Sequence, residues 1–206
     1  MVVAEFVFCR DDEASRHFFE VPAVPQPVGA STQWLCFRFR SRGMQQASPG
    51  SHFAIVLRAE LGRDEAGIPR TISGRGLTWG DTSQAQLPMR CPGADPARFG
   101  GARGAQVESF WPGGNFLYRQ ARILDQGLRD DTDYRVHLHV RDDGWIGFWL
   151  ADDDGAPIPD CSVAVHDDPR HPVLPQRTGV VIALGRGAET GDDWEARFSD
   201  IAWGWF

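Results

Sequence analysis

Tyr134-Arg135-Val136-His137-Leu138-His139-Val140-Arg141-Asp142-Asp143-Gly144-Trp145-Ile146-Gly147-Phe148-Trp149-Leu150-Ala151 is the stretch that decides the fold. Tyr134, Val136, Leu138 and Val140 recur with period two, the repeat of a half-buried strand. Asp142-Asp143-Gly144 reads as a three-residue hairpin turn, with Gly144 suited to the left-handed position. The return segment offers Ile146, Phe148 and Leu150 on one face. This turn predicts that Val140 pairs with Ile146, Leu138 with Phe148 and Val136 with Leu150. Two strands and their turn thus point to the same hairpin.

Working outward, the same alternation recurs between Gly, Pro, Asp and Asn clusters, and no stretch of a dozen residues shows a clean helical period. Strands are predicted at Val2 to Cys9, Gln33 to Ser41, Ser51 to Glu60, Arg70 to Trp79, Ala105 to Trp111, Phe116 to Leu124, Thr178 to Leu184 and Trp194 to Phe206. In Gln33 to Ser41, Leu35, Phe37 and Phe39 face one way and Arg38 and Arg40 the other. The glycines of Arg70 to Trp79 suggest close backbone approach or a bulge. A Pro-rich connection (Pro22, Pro25, Pro27) and two long loops, Asp81 to Gly104 and Asp152 to Gln176, separate these strands. Some ten or more strands without helical partners predict an all-β, antiparallel two-sheet sandwich or barrel, with residues 1–206 as a single domain.

Composition narrows the function classes. The chain has 206 residues, enough for a large core without disulfides or metals, and 42 % of them are hydrophobic. A net charge of −7 counts against a general nucleic-acid binder. No apolar run is long enough for a membrane-spanning helix. All 21 basic residues are Arg, so neither a Schiff-base lysine nor a P-loop lysine is available. Met1 to Arg10 reads as a strand, not a signal peptide, which makes a cytoplasmic location the default while leaving export without a cleaved signal open. Cys9, Cys36, Cys91 and Cys161 form no CxxC pair and read as reduced, buried thiols.

The order of elements resembles concanavalin A-like lectin/glucanase domains. The resemblance rests on the central hairpin, on Gly179-Val180-Val181-Ile182-Ala183-Leu184, and on the ending Ala196-Arg197-Phe198-Ser199-Asp200-Ile201, similar to the Phe-Ser-Asp type of closing strand. It implies a jelly-roll sandwich of two stacked antiparallel sheets, with a concave face that often binds saccharide.

Candidate binding chemistry falls on the outer face of the hairpin. Arg135, His137, His139 and Arg141 alternate with the core residues, and Trp145 and Trp149 share their face, with His137 opposite Trp149 and Arg141 opposite Trp145. Indoles stack on the apolar face of a pyranose, while Arg and His donate hydrogen bonds to hydroxyls or carboxylates. These six residues form the expected saccharide site on the concave sheet, extended by Arg38 and Arg40. The alternative is that a loop or partner chain covers the face and the tryptophans only pack.

Other chemistry is less supported. His137-x-His139 has metal-ligand spacing, but the second motif of a cupin is missing. Asp152-Asp153-Asp154-Gly155 fails the EF-hand pattern and reads as a hairpin turn. Asp160, His166, Asp167, Asp168 and His171 sit in a Pro-rich loop. No metal or cofactor is therefore expected. A polysaccharide lyase or glycoside hydrolase is the enzymatic alternative. Arg58-Ala59-Glu60-Leu61 and Gln106-Val107-Glu108 echo strands of alginate-lyase-like sandwiches. Gly62 stands where they have a second Arg and Glu108 where they have His, so most of the base and neutraliser is absent. Without catalysis, Arg58 and Glu60 read as a same-face ion pair. The expected partner is an oligo- or polysaccharide, with a protein partner or oligomer as the structural alternative.

Overall fold

The computed structural model describes residues 6–9, 16–21, 24–43, 52–63, 65, 67, 69–80, 104–110, 116–119, 129–167, 173, 179–185 and 195–206. The strands among them are β1 (Phe6–Cys9), β2 (Arg16–Val21), β3 (Thr32–Arg42), β4 (His52–Arg63), β5 (Pro69–Gly80), β6 (Gly104–Phe110), β7 (Phe116–Arg119), β8 (Tyr134–Arg141), β9 (Trp145–Ala151), β10 (Pro157–His166), β11 (Gly179–Gly185) and β12 (Glu195–Trp205). They form two six-stranded sheets. Sheet I has the order β1-β12-β3-β8-β9-β10, and sheet II the order β2-β11-β4-β5-β6-β7. Every neighbouring pair in both sheets is antiparallel.

The β8–β9 hairpin has the register expected from the sequence: Val136 pairs with Leu150, His137 with Trp149, Leu138 with Phe148 and Val140 with Ile146. Gly144 adopts φ +85°, and its N–H donates to the Arg141 carbonyl at 3.0 Å, closing the turn. The Asp152–Gly155 segment is likewise a hairpin turn, with Gly155 at φ +87° and its N–H donating to the Asp152 carbonyl.

The core lies between the sheets. Leu35, Phe37 and Phe39 of β3, Val136 and Leu138 of β8, and Phe148 of β9 meet Ile55 and Leu57 of β4 and Val180 and Ile182 of β11. Phe198 of β12 packs its ring 5.6 Å from that of Phe37 and 5.4 Å from that of Phe39. Full burial of each such side chain contributes roughly 1.5–3 kcal/mol, the term that overcomes the chain entropy.

Two segments differ from the sequence expectation, and both are sheet edges. Arg16–Val21, expected within the connection between Cys9 and Gln33, is β2 and pairs with β11. Pro157–His166, expected in a long loop, is β10 and pairs with β9 across a register shift between Pro157 and Ser162. An edge strand has one side without a ladder, so it tolerates prolines and needs little alternation. The expected loop from Asp81, the turn at 112–115 and the extension of β7 to Leu124 lie outside the described residues.

The close approach expected of the glycines in β5 is present. A β-carbon on Gly76 would overlap the Ile55 carbonyl, and one on Gly74 would overlap the Val56 side chain. Opposite them, β4 is irregular between Leu57 and Glu60, with Arg58 at φ 52°.

Candidate functional site

The outer face of sheet I carries the residues singled out from the sequence. Leu138 and Val140 point into the core, which sends His137, His139 and their neighbours Arg135 and Arg141 outward on β8. Across the hairpin, Trp145 and Trp149 leave β9 on the same side, half-buried. Cross-strand register and ring geometry agree. His137 stacks on Trp149 with ring centres 4.6 Å apart and planes 5° from parallel. His139 meets the same indole edge-on, also at 4.6 Å. Arg141 lies 5.8 Å above the Trp145 ring, and its guanidinium donates to Asp143 at 2.6 Å. Arg135 donates to the Asp153 carbonyl at 3.2 Å.

Tertiary structure adds three residues to this face. Trp34 and Cys36 of β3 lie opposite His139 and His137. Their alternation with Leu35 and Phe37 signals this placement in the sequence. Phe206, 61 % exposed, packs edge-on against His139 at 5.2 Å. Nothing local in the sequence predicts that contact. Cys36 is not in the core, as expected of it, but half-buried here, its Sγ 3.8 Å from His137 Nε2. Burial pushes its thiol pKa up, and burial holds both imidazoles below their ordinary value, His139 at about 4. The centre of the face is therefore uncharged at neutral pH.

Arg38 and Arg40 also face outward but are engaged at the rim. Arg38 pairs with Asp153 at 2.5 Å and Asp200 at 3.8 Å, and Arg40 with Asp133 at 3.1 Å and Asp131 at 3.5 Å.

Sheet II offers a different surface. Val56 and Val181 pair with one another and alternate with core residues, yet both are buried, so this part of the outer face is closed. Arg58 and Glu60 do not form the expected same-face pair. The irregularity in β4 turns Arg58 inward, where it is buried and ion-paired with Asp142, while Glu60 accepts a 3.5 Å hydrogen bond from Ser73. The strand echo of a lyase site is thus broken at its Arg. Gln106 and Glu108 lie in β6, opposite Thr78 and Gly76. Asp167, one of the acids of the Pro-rich segment, is buried and ion-paired with Arg75, and His166 is exposed. Among the described residues, no group of three His, Cys, Asp or Glu side chains is arranged to hold a metal ion.

No protein-family model and no curated protein matches the sequence. Solved structures match at low identity. A seed lectin of Lotus tetragonolobus is similar over 98 % of this chain and 99 % of its own, at 9 % identity and a TM-score of 0.51. A lectin from Bauhinia forficata in complex with GalNAc matches over 98 % and 99 %, at 9 % identity and a TM-score of 0.47. An alginate lyase from Pseudomonas aeruginosa matches over 98 % and 82 %, at 13 % identity and a TM-score of 0.47. The chain has the concanavalin A-like jelly-roll fold, as its two antiparallel sheets and the Lotus lectin likeness show.

Proposed function

We propose that this protein binds carbohydrate, with Trp145, Trp149, His137, His139, Arg135 and Arg141 on the outer face of sheet I as contacts. The observation that carries the reading is the aromatic cluster itself. Indole and imidazole rings from β8 and β9 collect on a solvent-reached sheet face, where strands ordinarily present small or charged side chains. Such a surface has apolar ring faces for the C–H side of a pyranose and ring N–H groups and guanidinium donors for its hydroxyls. The fold shared with a lectin supports the reading only as analogy.

The test is a broad glycan array probed with the purified protein and with the Trp145→Ala/Trp149→Ala double variant. Binding by the wild type that the variant loses, with its thermal melt retained, supports the reading. Wild-type binding that survives in the variant, or an array with no signal, overturns it. A stable oligomer with protected tryptophans would instead make this face a protein interface.

A further inference from the structure

Two tryptophans on this face are seated on glycines. A β-carbon on Gly147 would overlap the Trp145 ring. One on Gly204 of β12 would stand 3.3, 3.4 and 3.4 Å from Nε1, Cε2 and Cζ2 of Trp34, near-equal distances that mean the indole faces the glycine. Each ring thus lies over backbone with one face down, both residues being half-buried, and the Arg141 guanidinium stands 5.8 Å from the centre of the Trp145 ring.

The two seats share one row across the strands. Gly204 is opposite Trp34, Trp34 opposite His139, His139 opposite Gly147, and Gly147 opposite Ala164. The adjacent row runs Ala202, Cys36, His137, Trp149 and Ser162. Neither row contains an Arg, Asp or Glu. The charged side chains stand beyond them, Arg38 and Arg135 beside Asp153 and Asp200 toward one end of the strands and Arg141 with Asp143 toward the other. Gly204 and Gly147 are three strand steps apart, about 14 Å at roughly 4.8 Å per step.

Resting on the saccharide reading, we infer that the ligand is an uncharged, extended oligosaccharide of about three or more pyranose rings, lying across the strands from Trp34 to Trp145. The terminal rings stack on the two glycine-seated indoles, and the middle of the chain passes over His139 and the Phe206 ring packed edge-on against it. A charged chain gains little here, because Arg38 and Arg141 are already matched by aspartates and Arg135 by the Asp153 carbonyl. A mono- or disaccharide reaches one platform only.

The test is titration calorimetry with neutral gluco-, manno- and xylo-oligosaccharides of increasing length, beside oligouronates of the same lengths, at low and high salt. Affinity for a neutral chain is expected to rise at least tenfold between the dimer and the tetramer and to be insensitive to salt. Trp34→Ala and Trp145→Ala are each expected to lower tetramer affinity about tenfold, and Trp34→Phe and Trp145→Phe to retain most of it. Preference for oligouronates with a steep salt dependence overturns the inference while leaving the saccharide reading intact. So does binding that needs Trp145 but is unchanged in Trp34→Ala. Absence of binding to every chain overturns both.

Discussion

Arg58 of sheet II is ion-paired with Asp142 in the β8–β9 turn of sheet I. The guanidinium lies 4.1 Å over the Trp205 ring, donates to Gln26 at 3.1 Å, and tethers the turn that orients Trp145. Arg75 makes a second buried link to Asp167, whose N–H donates to the Gly144 carbonyl of the same turn. Burial lowers the pKa of both arginines, and the facing carboxylates oppose that shift.

Removing the anion should therefore cost more than removing the cation. Asp142→Ala leaves a buried guanidinium without its carboxylate and is expected to destabilise by about 3 kcal/mol, the low end for a buried pair because Asp142 is partly exposed. Arg58→Met fills the same space without charge and should cost about half as much or less. Urea midpoints with unchanged slopes are the measurement. An Asp142→Ala cost no larger than that of Arg58→Met would contradict this account.

The glycines of the two sheets predict opposite phenotypes. Gly76→Ala sets a methyl against the Ile55 carbonyl, which is backbone and cannot step aside, and should prevent stable folding. In Gly147→Ala the atoms nearest the new methyl are the far end of the Trp145 side chain, which can swing away. The substitution should cost about 1 kcal/mol of stability while abolishing saccharide binding. Circular-dichroism melts and the glycan array, run on both variants, separate the two effects.

The lowered pKa of His139 predicts an acid-sensitive fold. The unfolded imidazole takes up a proton near pH 6.5, whereas the folded one resists until about pH 4. Between those values the unfolded state binds more protons, so stability is full above pH 6.5 and falls as the pH drops toward 4. Because the ring is half-exposed, the loss is about 1–2 kcal/mol, well under the full linkage value. His139→Asn should flatten the pH dependence of the melting temperature in this window. An unaltered profile would show that the ring titrates normally.

Phe198→Ala should open a cavity between Phe37 and Phe39 and cost about 3–5 kcal/mol. Phe198→Leu should recover most of that loss. Equilibrium unfolding of the two variants checks the assignment of the closing strand to the core.

The central hairpin was legible because its information is local. The period of two from Tyr134 to Leu150 and the turn at Gly144 are set by strand pleat and backbone conformation, so cross-strand pairs follow without knowledge of any other strand. The same logic placed the six candidate residues on one face. It failed at the edge strands β2 and β10; in β10, Pro157 pairs with Ala151 at the end of the strand and Pro159 falls in the register shift that follows, where a missing N–H is tolerated.

By itself, the sequence determined the all-β class, the hairpin register and the outward set Arg135, His137, His139, Arg141, Trp145 and Trp149. Only the tertiary structure decided that Arg58 turns inward at a strand irregularity, that Trp34 seats on Gly204, and that Phe206 closes on His139. Side-chain alternation is a property of a few consecutive residues. Strand order, bulges and the burial of a charge depend on partners far away along the chain, which no local pattern encodes.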